Sequence, residues 1–180
     1  YSELYDAKKL SARDLVTKTK QTKPDLVVLL GSGGRAASNL LVSLREQGYR
    51  GLILSDDSAS FPEVLTAAGA AAKDLIFVAS GFDGKDATNP FVKAYREKFG
   101  KDPSDISAFA YDMVKLLARY SRLTSGREIA QAIASVRDYP SVLGSVTAVA
   151  EQKDISVPLK TRRVVLASGE PKFEEIARLP

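Results

Sequence analysis

An α/β fold built on parallel strands is what this sequence predicts, and three observations predict it. Strand-like apolar runs alternate with helical patterns throughout the first 80 residues. Those runs are continuous and partly β-branched, the mark of strands covered on both faces of a parallel sheet. Each is followed by glycine or acidic residues and then a helix, the order of a β-α-β series with right-handed crossovers.

The elements can be justified in turn. Ser11 and Asp14 make a capping pair for a helix that ends before Pro24. Asp25-Leu-Val-Val-Leu-Leu30 is the first buried strand, and Gly31-Ser-Gly-Gly34 leads into a helix over about Arg35–Gln47. Its Ala37, Leu40, Leu41 and Leu44 fall on one face, and Gly48 stands at its C-terminal cap. Gly51–Ser55 is a second strand, ending in Asp56-Asp57. Ser60-Phe-Pro-Glu63 reads as a capping box for a short helix to Ala68, and Leu75–Ser80 is a third strand.

After Gly81 the pattern changes. A polar, turn-rich stretch to Thr88 precedes three helices: Asn89–Phe99, Ser104 to about Ser121, and Ser125–Arg137, the last opened by a Ser125/Glu128 capping box. The middle helix carries a wide apolar stripe of Ile106, Phe109, Ala110, Met113, Leu116, Leu117 and Tyr120. Strand patterns return only at Gly144–Val149, Arg162–Ala167 and Phe173–Leu179. One local strand is too little sheet for those helices, so their partner strands are expected upstream of Tyr1.

Composition narrows the function classes. With 44% hydrophobic residues among 180 the chain can bury a core, and its net charge of +4, from 26 basic and 22 acidic residues, is a mild excess. The basic stretch of Lys8, Lys9, Arg13, Lys18, Lys20 and Lys23 lies largely along one predicted helix and reads as a solvated face, with no nucleic-acid module beside it. Cysteine and histidine are absent, which removes thiolate nucleophiles, Cys/His zinc sites and Ser-His-Asp catalysis. Gly31-Ser-Gly-Gly34 lacks the Gly-Lys-Ser/Thr of a P-loop and is not Gly-x-Gly-x-x-Gly, so a tight strand-to-helix turn is favoured over a phosphate cradle. No cofactor, no metal and no enzymatic activity are expected. No apolar run approaches the roughly 18–20 residues of a membrane span. Tyr1 to Leu10 lack the layout of a signal peptide.

Several segments, in order, resemble type I periplasmic binding proteins, particularly the branch that binds the branched-chain amino acids Leu, Ile and Val. They are Lys23-Pro-Asp-Leu-Val-Val-Leu29, Ala36–Gly48, Leu52-Ile-Leu-Ser-Asp56, Asn89–Pro103, Ala110–Ala118 and Leu143-Gly-Ser-Val-Thr147. The tail from Glu151 departs from the pattern. The resemblance implies a two-lobed fold with parallel sheets flanked by helices, present here as a C-terminal fragment. Residues 1–81 would belong to the second lobe, 82–153 would complete the first, and 154–180 would return to the second. It also implies a solute-binding protein of an ABC transporter that holds a small amino acid or related polar metabolite in the interlobe cleft. Such a protein works in the periplasm and hands its ligand to a membrane permease.

In open parallel sheets ligands bind beyond the C-terminal ends of strands. That singles out Ser32, Gly33 and Arg35 after the first strand, and Asp56, Asp57 and Ser58 after the second. By resemblance Asp57 stands where the family places the acid that pairs with the ligand ammonium, with Asp56 the near alternative. The family has a Tyr at the position of Gly33, so this pocket would be larger. Arg35 is placed to meet an anionic group. Phe82, on a crossing segment, would line the cleft or bear hinge strain. The plainer reading of Asp56 and Asp57 is a solvated strand end, and Tyr111 reads as core. A sensor or receptor domain on the same scaffold, or an envelope protein that has lost its ligand, are the alternatives.

Overall fold

The computed structural model describes residues 2, 3, 6, 11–30, 35–149, 151 and 154–179. The chain divides into two compact units. The first runs to Ala79 and resumes over Lys160–Leu179; the second is Ser80–Leu159.

In the first unit α1 (Ala12–Gln21), β1 (Leu26–Leu29), α2 (Arg35–Glu46), β2 (Leu52–Ser55), α3 (Pro62–Ala68) and β3 (Leu75–Ser80) follow the predicted alternation. Ser11 caps α1, its hydroxyl accepting from the Asp14 N–H at 3.1 Å. Gly48, with φ of +80°, ends α2 in the left-handed conformation that costs glycine least. The strands β1, β2 and β3 are parallel, with Leu26 opposite Leu52 and Ile53 opposite Leu75. The sheet continues to β7 (Leu159–Ala167) and β8 (Glu170–Leu179) in the order β1-β2-β3-β7-β8. Ser168 and Gly169 both take positive φ between β7 and β8, the geometry of a two-residue hairpin turn.

Helix α2 packs on both α1 and α3, and its Leu41 and Leu44 meet Ile53, Leu75 and Phe77 in one buried cluster. The alternate residues of the strands face away from that cluster. Leu26, Val28, Leu30 and Leu52 remain exposed on that side.

Asp57–Ser60 is a 3₁₀ turn, so the N-cap of α3 is Phe61, one residue past the expected Ser60, and Phe61 makes no side-chain cap hydrogen bond.

The second unit holds α4 (Pro90–Phe99), α5 (Asp105–Arg119) and α6 (Gly126–Ala134), with an antiparallel sheet of β4 (Tyr139–Ser141), β5 (Gly144–Val149) and β6 (Asp154–Ser156). Only β5 was legible as a strand. The other two have three residues each, too few for an alternation to register, and β4 includes Pro140, tolerated because it lies at the sheet edge. The apolar stripe of α5 is divided: Leu116 is buried, whereas Ile106, Phe109 and Leu117 are exposed, as is Val114 beside them.

Asp112, only 4% exposed, reaches from α5 to the β4–β5 turn. Its carboxylate accepts from the Val142 N–H, at 3.0 and 3.2 Å to its two oxygens, and from the Leu143 N–H at 3.4 Å. Leu143 N–H has a second acceptor in the Ser141 hydroxyl, so Val142 depends more heavily on the carboxylate. Asp112→Ala should therefore lower stability by about 1–3 kcal/mol, the cost of a stranded buried N–H, with Asp112→Asn losing less; urea unfolding measures both.

The Ser125/Glu128 box is present in both directions. The Ser125 hydroxyl, then its backbone N–H, donates to Glu128 and holds that carboxyl below the ordinary carboxylate value. A depressed folded-state value means the stabilisation is complete above the unfolded carboxylate pKa and disappears as pH falls through the folded one. Acid should thus narrow the stability gap between the parent and Ser125→Ala, read by circular dichroism melts at neutral and acidic pH.

Candidate functional site

The parallel register brings two strand ends together. Leu29 lies opposite Ser55, the last residues of β1 and β2. The buried Ser55 hydroxyl donates to the Leu29 carbonyl at 2.9 Å, tying the two ends at the level where both strands stop. Beyond Ser55 the chain enters the 3₁₀ turn, and α2 is the next described element after Leu30.

After β2, the two adjacent acids have different surroundings. Asp56 is the N-cap of the 3₁₀ turn: one of its oxygens accepts from the Ser58 N–H at 3.2 Å and from the Ser58 hydroxyl at 2.5 Å. Asp56 and Ser58 are both half-buried, while Asp57, in the first turn, is exposed. The geometry gives Asp56 an internal task and turns Asp57 outward.

After β1, Arg35 opens α2 and is exposed at the same end of the sheet. Ser32 and Gly33 lie outside the described residues. The structure thus brings Arg35 and Asp56–Ser58 to one sheet end. Phe82 belongs to the second unit, where it is 4% exposed and packs at 6.0 Å from the Phe91 ring in a cluster with Val92, Ala108 and Leu143. Tyr111 is 40% exposed, with its ring 4.7 Å from Phe91.

Sequence reasoning passed over Ser55, which reads as one more strand residue. It also missed the capping by Asp56, although Asp-x-Ser is the spacing of an Asx turn. A separate cavity of about 780 Å³ lies within the second unit, lined by apolar residues of α5, α6 and the small sheet such as Met113, Leu116, Ile133 and Val146. None of the sequence-derived site residues lines it. Among the described residues no cluster of acids could hold a metal ion, and no helix is long and apolar enough to cross a membrane.

A family model described as periplasmic binding protein matches residues 2–169. This chain belongs to the periplasmic binding protein family. Solved structures of similar fold include a leucine-binding protein of Thermotoga maritima, 26% identical with a TM-score of 0.69, which covers 89% of this chain and 46% of its own. A branched-chain amino acid transporter substrate-binding protein of Streptococcus pneumoniae, in complex with isoleucine, is 24% identical with a TM-score of 0.67 over 92% and 48% of the two chains. An ABC-transporter solute-binding protein of Rhodopseudomonas palustris HaA2, in complex with p-hydroxybenzoic acid, reaches a TM-score of 0.74 at 16% identity over 92% and 48%. A search of curated proteins returned no match. This periplasmic binding protein chain spans about half the length of the solved structures it matches.

Asp56→Ala should cost about 1 kcal/mol of stability through loss of the cap on the 3₁₀ turn, as read by urea unfolding.

Proposed function

We propose that the protein is the solute-binding component of an ABC transporter and that it captures a small carboxylate-bearing metabolite, an amino acid in the first instance. The observation that carries this reading is the outward-facing Asp57 on a capped turn at the C-terminal end of a parallel sheet, beside the end of β1. Open α/β sheets bind ligands at that end.

The ligands named for the solved neighbours, isoleucine and p-hydroxybenzoic acid, share a carboxylate. Arg35 and the N-terminal turn of α2 are suited to that anion. Only the amino acid also carries an ammonium group, and an exposed carboxylate such as Asp57 is its natural partner. Ser58 braces the turn through Asp56, Ser32 and Gly33 would complete the segment before α2, and Phe82 would act by supporting the crossing segment from within the core. Ligand capture requires no covalent step, so the protein works as a binder and not as a catalyst. Membership of the family supports delivery to a membrane permease outside the cytoplasm.

The p-hydroxybenzoic acid complex supports a second reading, an aromatic acid, in which Asp57 has no cation to meet. Thermal denaturation of the intact protein decides between them. A ligand at about 100 times its Kd adds about 2.7 kcal/mol and raises Tm by several degrees. Leucine or isoleucine should do so, and Asp57→Ala should abolish the shift. A shift with 4-hydroxybenzoate alone, retained in Asp57→Ala, selects the aromatic acid. No shift with either class overturns the capture reading.

A further inference from the structure

We propose that the cavity of the second unit is a further binding site, for a small apolar ammonium compound, with the buried Asp112 carboxylate receiving the cation. It lies wholly within that unit and does not rest on the capture reading.

The space itself comes from uneven packing. α5 buries Ala108, Asp112 and Leu116, whereas α6 buries no residue fully, although it carries Ile129 and Ile133. A cavity of about 780 Å³ remains between the two helices and the small sheet, walled by Met113, Leu116, Ile133, Val146 and Ala148. Protein interiors pack as densely as organic crystals, and a space this large falls in the range of small-molecule sites, roughly 300–1,000 Å³.

One charge on the cavity wall is out of water. Asp112 is 4% exposed, and no lysine or arginine forms a salt bridge with it among the described residues. It accepts from the Val142 and Leu143 N–H groups, which are dipoles and not charges. A carboxylate offers about four acceptor positions, so two N–H groups leave room for a further donor. Burying an ion without a counter-ion is costly, and buried charges are ordinarily paired.

The other charges lining the cavity, Arg127 and Asp154, are exposed and of opposite sign. They offset one another, so Asp112 decides the sign of the guest. An apolar wall with one buried carboxylate is the complement of an apolar body with one ammonium head, the chemistry of aliphatic and arylalkyl amines. The ammonium would donate to Asp112 in a charge-assisted hydrogen bond, whereas a guest carboxylate would meet like charge.

The test uses the intact protein labelled with carbon-13 at the methionine methyl. Met113 lines the cavity and is the one methionine among the 180 residues, so its signal, assigned through Met113→Leu, reports occupancy. Phenethylammonium, phenethyl alcohol and hydrocinnamate share an apolar body and differ in their heads. The ammonium should shift the signal with an affinity at least about tenfold above the alcohol's, the scale of a hydrogen bond to a charged group, and the carboxylate should bind most weakly. Asp112→Asn keeps an oxygen for the Val142 N–H. It should bring the ammonium down to the alcohol's affinity and leave the alcohol's unchanged. Ala134→Phe, from a half-buried position on the cavity wall, should exclude all three. The comparison of probes in the parent needs no variant to fold. An ammonium that binds no better than the alcohol overturns the proposal, and so does a carboxylate that binds best and is lost in Arg127→Ala. No methyl shift with any probe, or an ammonium shift that survives Ala134→Phe, overturns it as well.

Discussion

Two parallel strands cannot be joined by a tight turn, and that constraint organises the first unit. The chain must return over the sheet between β1 and β2, and α2 makes that return. Its buried face, with Leu41 and Leu44 almost without exposure, is what the sheet, α1 and α3 pack against. Because both strands run the same way, their C-terminal ends fall side by side, and the Ser55 hydroxyl on the Leu29 carbonyl holds them level. The position of Arg35 and of Asp56–Ser58 at one end follows from this arrangement alone.

The second unit is held by local devices. Ser104 and Ser125 cap α5 and α6, and the Asp112 carboxylate joins α5 to the β4–β5 turn. Its two buried clusters are small. α5 still presents Ile106, Val114 and Leu117 outward, just as the sheet of the first unit presents Leu26 and Val28. The matched structures are about twice as long as this chain.

Two neighbouring acids at the first unit's sheet end differ in their surroundings. A carboxylate that accepts two hydrogen bonds within its own turn supports that turn, and Asp56 does so. Asp57 lies exposed in the turn that Asp56 caps.

Much of this was written in the sequence. Continuous apolar runs separated by amphipathic helices determine a parallel sheet, because period and burial are local properties of the chain. The caps at Ser11 and Ser125 were legible for the same reason, since a cap and its acceptor lie three residues apart. The segments running from Lys23 to Thr147 pointed to the family. Only the tertiary structure decided the rest. The strands β4 and β6 are too short to carry a pattern and exist because β5 lies between them. Phe82 turned out to be core, since burial depends on Phe91 and Leu143, which are distant in sequence. The roles of Ser55 and Asp112 could not be read locally either: their partners, Leu29 and Val142, lie 26 and 30 residues away, and only folding brings them within reach.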